Sequence, residues 1–258
     1  MKLFYKYLSL HLKTALEYKS SFVMLLLSQI IYIFIELATI LAIVAKFQLL
    51  NQFNIYEILF NFSILWLGYS IAELFFRGFD MFYELISRGD FDILLIRPRS
   101  LFIQVLGSNI AYEKSGRTLV SFICFIFVLI KLIDFWTPLK VLLIIFSVIG
   151  IIIIYLSLFI IGASFSFVTI QGMEMINIFT AGSKQVGQFP MQIYHSFIRI
   201  FFTFVVPITL INYYPVNYLV GRTDNILYVF MPLLTFILFI ISLLTFKLGV
   251  KKYCSTGS

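Results

Sequence analysis

Charged side chains are concentrated in one short part of this otherwise apolar sequence. Eight of the 31 charged residues lie between residues 77 and 99, around the stretch SRGDFDILLIRPRS, Ser87 to Ser100. Carboxylates and guanidinium groups beside an apolar run, here Ile93 to Ile96, are typical of a surface that binds another protein. The same pattern fits a solvated loop whose leucines dip into lipid headgroups. The residues alone leave both interpretations open.

Local signals in this stretch favour an ordered segment. Gly89 permits a turn, Asp90 is a suitable N-cap for a short helix, and Asp92 lies in its first turn, where a negative charge is favourable. Pro98 suits the first position of a second helical piece. We therefore expect a break, a short helix, another break and a second helix.

Motifs for catalysis or nucleotide binding do not accompany these charges. The sequence has no G-x-x-x-x-G-K-[ST] or G-x-G-x-x-G for phosphates, no H-E-x-x-H for zinc and no G-x-S-x-G nucleophile elbow. His11 and His195 are isolated, and Cys124 and Cys254 are too far apart for a metal or redox motif, so we expect two free thiols. The sequence predicts no catalytic residue, no metal site and no cofactor of its own.

The composition indicates that the charged stretch belongs to a protein built from membrane-spanning elements. Hydrophobic residues make up 61% of the chain, charged residues 12%, and the mean hydropathy is +1.02. Soluble domains carry roughly a quarter charged residues, so we expect an integral membrane protein. A single membrane domain, residues 1–258, is predicted because no polar stretch is long enough for a separate soluble core. The net charge of +7 is scattered over the ends of apolar runs, which argues against nucleic acid binding.

Six apolar segments are long enough to cross a membrane as helices, which takes about 20 residues. They are residues 21–45, 58–76, 118–136, 141–168, 194–211 and 225–246. The predicted fold is all-α with six transmembrane helices, because runs that are apolar on every face do not fit a β-barrel. Pro207 should bend or break the fifth span, and both a plain kink and a re-entrant segment before the sixth span fit that pattern.

Lysine and arginine positions predict the orientation. With the N-terminus inside, 15 of the 19 basic residues fall on inner segments, including Lys184 in the loop before the fifth span. The outer segments hold only Lys46, Lys131, Lys140 and Arg222. Since cytoplasmic loops are rich in Lys and Arg, both termini are expected in the cytoplasm of a multi-pass plasma-membrane protein. The charged stretch then forms the cytoplasmic loop between the second and third spans.

Glu36 is the clearest ionisable residue inside a predicted span. A lone carboxylate there costs at least about 2.5 kcal/mol, so it is expected to face protein or water or to be protonated. A place on a transport pathway, in a proton step or at a subunit interface is one interpretation, and a structural hydrogen bond is the other. Glu73 and Arg199 lie near span ends, where side chains that reach the headgroups are the simpler expectation.

Two segments and the six-span plan resemble the permeases of ABC-2-type transporters. The first is SRGDFDILLIRPRSLFIQVLG, in which a glycine, an aspartate, apolar residues and an Arg-Pro pair precede the third span. The second is FPMQIYHSFIRIFFTFVVPITLINYYPVNYLVG, Phe189 to Gly221, which is similar to the family's late pattern of an Arg and a Pro in the fifth span with YYP outside. Together with the span plan, the resemblance covers nearly the whole chain.

This resemblance implies a permease subunit of an ATP-driven exporter that is not itself an enzyme. ATP would be bound by a separate ABC ATPase subunit, and a second permease copy or a related permease would complete the path across the lipid membrane. The loop between spans two and three would be the coupling helix. The residues that would contact or shape the ATPase surface are Gly89, Asp90, Leu94, Leu95, Arg97 and Pro98. The family includes drug, lipid and polysaccharide exporters, so no substrate is implied.

Two other functions stay open on the sequence alone. An ion-coupled secondary carrier would depend on Glu36. Such carriers usually show several membrane charges and broken helices in two related halves, and Glu36 is a single strong candidate. A non-transporting membrane scaffold would use the charged loop to recruit a cytoplasmic protein.

Overall fold

The fold of the described residues is all-α, as predicted. The computed structural model describes residues 2–46, 53–133, 136–169 and 172–255, and every regular element within these ranges is a helix. The α-helices are α1 (Lys2–Glu17), α2 (Lys19–Lys46), α3 (Ile55–Asp80), α4 (Phe82–Ser87), α5 (Asp90–Ile96), α6 (Leu101–Ser108), α7 (Ser115–Lys131), α8 (Pro138–Phe165), α9 (Gly172–Gly187), α10 (Ser196–Phe204), α11 (Thr209–Asn212), α12 (Tyr214–Leu219) and α13 (Thr235–Lys252). Short 3-10 turns occupy Tyr112–Lys114, Met191–Ile193, Ile226–Val229 and Met231–Leu234.

Helix α3 lies at the centre of the bundle. Its first turn is closed by a capping box, in which the Asn54 side chain accepts a backbone amide hydrogen bond and Glu57 accepts one from the Asn54 amide. Buried aromatic side chains such as Phe60 and Trp66 lie along it, because α7, α8 and α9 pack around this helix. Because α3 is central, it contacts α7 and α9, the helices that carry the buried side chains of Arg117 and Lys184.

Glycines allow α3 to approach its neighbours closely. A Cβ atom at Gly68 would lie 2.6 Å from Cγ2 of Ile151 on α8. A Cβ atom at Gly78 would collide with the carbonyl oxygen of Val105 on α6. Both positions therefore need a residue without a side chain, as is common where membrane helices pack backbone to backbone.

Four helices in the described part of the chain are long and apolar enough to cross a membrane, or five if one bent pair counts as a span. The four are Lys19–Lys46, which is α2; Ile55–Ser87, which is α3 continued by α4; Pro138–Phe165, which is α8; and Met231–Lys252, which is α13 with the 3-10 turn before it. The predicted third span, residues 118–136, corresponds to α7, which has 17 residues. These apolar helices support a multi-pass membrane protein.

The chain breaks at Pro207, as the sequence predicts. Helix α10 ends at Phe204, α11 begins at Thr209, and the segments on either side meet at 89°. The predicted fifth span, residues 194–211, is therefore not a continuous helix. The predicted sixth span, residues 225–246, is displaced towards the C-terminus, since 3-10 turns precede α13.

One helix lies where the sequence predicts a cytoplasmic loop. Helix α9 packs against α3 and α8, and its Lys184 side chain is buried. The prediction that Lys184 lies in a loop is therefore wrong. Polar residues are mixed along α9, so hydropathy alone does not distinguish it from a loop.

Candidate functional site

The charged loop folds as a short helix, α5, that follows a tight turn. Gly89 precedes it with φ of +74°, a left-handed conformation that glycine adopts without strain. Gly89 is itself the N-cap, so the prediction that Asp90 caps the helix is wrong. Asp90 and Asp92 both lie in the first turn, where their charges interact favourably with the positive end of the helix dipole.

The segment after α5 is extended. Arg97 has φ of −75° and ψ of 131°, because a residue that precedes proline is disfavoured in the helical region. Helix α6 begins only after Pro98, so the prediction that Pro98 opens this helix is wrong. The buried Gln104 amide donates hydrogen bonds to the carbonyl oxygens of Leu94, at 3.1 Å, and Arg99, at 3.2 Å. These two bonds hold α5 and α6 in a fixed relation.

The inward face of α5 is packed into a group of aromatic rings. Phe91 is fully buried, and its ring centroid lies 5.1 Å from that of Phe82, 5.4 Å from Phe167 and 4.9 Å from Tyr253. Phe246 lies 5.4 Å from Phe82 and 5.7 Å from Phe167. We call Phe82, Phe91, Phe167, Phe246 and Tyr253 the aromatic cluster. It joins α5 to α4, to the segment after α8 and to α13.

The outward face of α5 is exposed and largely apolar. The exposed fractions of Ile93, Leu95 and Ile96 are 46%, 42% and 82%. Asp90 at the start of the helix and Arg97 just after it are also exposed. This surface combines an apolar centre with opposite charges at its two ends.

The structure separates the six predicted ATPase-contact residues by exposure. Four of them are exposed, namely Asp90, Leu95, Arg97 and Pro98. Gly89 is half-buried and sets the turn before the helix. Leu94 is buried in the core, so it anchors α5 rather than offering a contact surface.

The C-terminal segment also lies against α5. The Ser255 hydroxyl donates a hydrogen bond to Oδ2 of Asp92 at 2.6 Å, and the Tyr253 ring packs on Phe91. Helix α5 is therefore held both by rings beneath it and by the segment that follows α13.

A second group of polar side chains lies where α2, α3 and α9 meet. Glu36 is half-buried and accepts hydrogen bonds from the Tyr32 hydroxyl at 2.9 Å and from the Gln185 amide at 3.4 Å. Nζ of Lys184 donates to the same Tyr32 hydroxyl at 3.0 Å. Glu36 thus makes the structural hydrogen bond that one of the two interpretations predicts, and it also lies next to the exposed Gln185.

Three aromatic rings surround two buried cations beside Glu36. The rings of Tyr32, Trp66 and Tyr69 lie 5.5, 4.8 and 5.4 Å from Nζ of Lys184. The same rings lie 5.4, 5.6 and 5.5 Å from the guanidinium carbon of Arg117. Because cation–π contacts contribute about 2 kcal/mol or more when desolvated, the rings offset part of the cost of keeping these cations from water.

Glu73 is enclosed by basic side chains. Its carboxylate oxygens lie 3.1 Å from Arg77, 3.1 Å from Lys114 and 2.5 Å from Arg117. Its side chain is only 8% exposed, so the expectation that Glu73 reaches the headgroups is wrong. Arg117 links this ion cluster to the aromatic rings around Lys184. Arg199, by contrast, is exposed.

Sequence reasoning identified Glu36 but missed the residues around it. Tyr32 and Glu36 are four residues apart on one helix, which is a detectable signal for a hydrogen-bonded pair. Lys184 and Arg117 come from distant parts of the chain and carry no such signal. Among the described residues, no three His, Cys, Asp or Glu side chains converge as a metal site.

Comparison with known proteins identifies a family for this chain but no individual relative. No curated protein and no solved structure gives a match. The family described as "ABC-2 family transporter protein" matches residues 14–257, which is nearly the whole chain. Together with the apolar helices, this match supports a membrane transport subunit and agrees with the resemblance of the two sequence segments. The chain belongs to the ABC-2 transporter family.

Proposed function

We propose that this chain is the permease subunit of an ATP-driven ABC exporter and that a separate ATPase subunit acts on it through α5. The observation that supports this proposal best is the two-sided construction of α5. Its inward face is anchored by Phe91 and Leu94, while Ile96 is 82% exposed on the other side. An exposed apolar helix face beside charged residues is suited to a protein partner.

The partner must supply the ATP chemistry. The chain has no phosphate-binding loop, so ATP binding and hydrolysis belong to the other subunit. Asp90 and Arg97 would pair with opposite charges on that subunit, and Leu95 and Ile96 would fill an apolar groove. Charges of opposite sign at the two ends of α5 would also fix the direction in which it docks.

The aromatic cluster offers a route for mechanical coupling. Closure of an ATPase pair would push on α5, and Phe91 would transmit this movement to Phe246 on α13 and to Phe167 after α8. Close-packed rings resist deformation, so the cluster would move as a unit. The spans would tilt and open a path outward between this chain and a second permease copy or a related permease.

Six membrane crossings fit this function. They are α2, α3, α7, α8, α9 with the broken segment that follows it, and α13. The 17 residues of α7 reach about 25 Å, which is within the range of transmembrane helices. The packing of α9 beside α3 and α8 supports its assignment as part of a membrane crossing. The protein would lie in the plasma membrane, with both termini in the cytoplasm.

Co-purification from native membranes tests the proposal. The tagged chain is isolated as wild type and as the double variant Asp90→Lys with Arg97→Glu, and co-eluting proteins are identified by mass spectrometry. Both substituted side chains are exposed, so the packing of the core should be unaffected. The matched control is Lys13→Glu with Glu17→Lys, which makes the same two charge reversals at exposed positions on α1.

We expect a P-loop ATPase to co-elute with the wild type and with the control but not with the α5 variant. ATP-dependent transport should fall in the α5 variant alone, while membrane insertion is unchanged. A wild-type chain that elutes without an ATPase would contradict the proposed function. Equal recovery of the ATPase with all three chains would contradict the role of α5.

A further inference from the structure

The outward faces of the helices differ in polarity. Mid-helix exposed side chains on α7, α8 and α13 are apolar, as at Phe122, Ile145 and Ile240. Helix α9 instead exposes residues that are mostly polar or small and are spaced by three or four positions, so that they share one side of the helix. These residues are Glu174, Asn177, Ile178, Ala181 and Gln185.

This side of α9 continues onto α2 within the apolar part of the bundle. The Gln185 amide lies 3.4 Å from Oε1 of Glu36, which is inside the apolar helix Lys19–Lys46. Tyr32, the other partner of Glu36, packs edge-on against Trp66 of the central helix α3 at 5.8 Å. We call Glu36, Glu174, Asn177, Ala181 and Gln185 the α2/α9 face. Hydrocarbon does not solvate such groups, so this face must border water or protein.

Charges near the α2/α9 face are arranged with carboxylates outward and cations inward. Glu174 is exposed and Glu36 half-buried, whereas Lys184 is 9% and Arg117 4% exposed. Both hydrogen bonds to Glu36 reach Oε1. None of the ion pairs found in the described ranges involves Glu36. Lys184 reaches Glu36 only through the Tyr32 hydroxyl, so the carboxylate has no direct ion pair and can make one with a positively charged visitor.

We propose that the α2/α9 face lines the translocation path and that the transported molecules are organic cations whose charge is met by Glu36. This inference rests on the proposed function, because it concerns the path of that permease. Symmetric pairing of two copies would bring a second Glu36 to the same path. A cleft lined by one sign of charge raises the local concentration of the opposite ion. Exposed Ile35 and Ile178 beside these carboxylates provide surface for the apolar body of such a molecule.

The test compares two ions of nearly equal size and opposite charge, tetraphenylphosphonium and tetraphenylborate. The full-length chain is reconstituted in nanodiscs of neutral phosphatidylcholine, and binding is measured by equilibrium dialysis, with empty nanodiscs subtracted. Glu36→Gln keeps the length and the hydrogen-bonding oxygen of the side chain but removes its charge. Glu17→Gln removes a carboxylate at an exposed position on α1 and serves as the matched control.

We expect saturable binding of tetraphenylphosphonium by the wild type and by Glu17→Gln, and none of tetraphenylborate. Loss of an attractive charge a few ångströms away in a partly dry site should weaken the binding by about tenfold or more in Glu36→Gln. Equal binding of the two ions, unchanged affinity in Glu36→Gln, or no saturable binding of the cation would each overturn the proposal.

The dialysis measurement is independent of the ATPase. A chain that co-purifies with an ATPase but shows no preference for the cation would refute only the cation path. A chain that binds the cation through Glu36 but elutes without an ATPase would refute only the proposed function.

Discussion

At the scale of single residues, one buried carboxylate holds the ends of two helices together. Glu73 on α3 receives Arg117 from α7 and Lys114 from the turn before it, and both basic side chains are largely buried. Removing one member of a buried ion cluster leaves the others uncompensated, whereas an exposed ion pair contributes little. The same chemical substitution should therefore have different effects at different depths.

The substitution Glu73→Gln should lower the stability of the protein by about 3–5 kcal/mol, because three cations lose their shared anion in a dry site. Thermal unfolding of the detergent-purified protein measures this effect. The matched control is Glu84→Gln, whose partner Arg88 has a side chain 68% exposed, and its cost should stay below about 1 kcal/mol. Equal shifts of the unfolding temperature in both variants would show that burial does not set the strength of these pairs.

The sequence identifies only some of these residues, because sequence windows detect neighbours along a helix but not contacts between helices. Glu36 stands out as a charge in an apolar run, and its partner Tyr32 is four residues away. The partners Glu73 and Arg117 are 44 residues apart, and Lys184 is 152 residues from Tyr32. These contacts arise only when α7 and α9 pack against α2 and α3.

At the scale of elements, α5 depends on the aromatic cluster for its position. Trypsin can test this dependence without an ATPase, because Arg88 and Arg99 flank the helix and are both exposed. Cleavage requires the local backbone to open, and its rate reports the free energy of that opening. The packed ring of Phe91 should therefore protect both sites.

We expect Phe91→Ala to accelerate cleavage at Arg88 and Arg99 at least about tenfold, because truncating a core Phe costs about 3–5 kcal/mol and each 1.4 kcal/mol is a factor of about ten. The control is Phe122→Ala on α7, a ring that is 51% exposed and lies outside the cluster. Cleavage sites and rates are read by mass spectrometry over time. If both variants are cleaved as slowly as the wild type, the aromatic cluster does not hold α5.

The elements could be predicted where local chemistry determines them. Gly89 and the two aspartates after it indicate α5, and Pro207 indicates the break between α10 and α11. The start of α6 is harder to predict, because the extended Arg97 and the hydrogen bonds from Gln104 outweigh the helix-starting tendency of Pro98. Helix α9 escapes prediction because its polar side resembles a loop.

At the scale of the whole molecule, basic residues are still in excess on the predicted inner side after Lys184 is moved from a loop to a helix. Lys184 on α9 and Arg199 on α10 both lie within the crossing proposed for α9 and the broken segment, so 13 basic residues remain on the predicted inner segments and 4 on the outer ones. The cysteines are both free, as predicted, with Cys124 half-buried and Cys254 exposed. Cys254 follows α13 directly and so reports the side on which the C-terminal segment lies.

A membrane-impermeant maleimide should label Cys254 in inside-out vesicles and leave it unlabelled in right-side-out vesicles, because the positive-inside rule predicts a cytoplasmic C-terminal segment. The measurement uses a Cys124→Ser background, so that Cys254 is the only thiol in the chain. Its counterpart is Asp224→Cys combined with Cys254→Ser, which moves the single thiol to an exposed position on the predicted outer side. That variant should show the opposite labelling pattern. Labelling of Cys254 and of the residue-224 thiol from the same side would require an even number of crossings between them, and would remove α13 from the set of membrane spans or reverse the assignment of the segment before it.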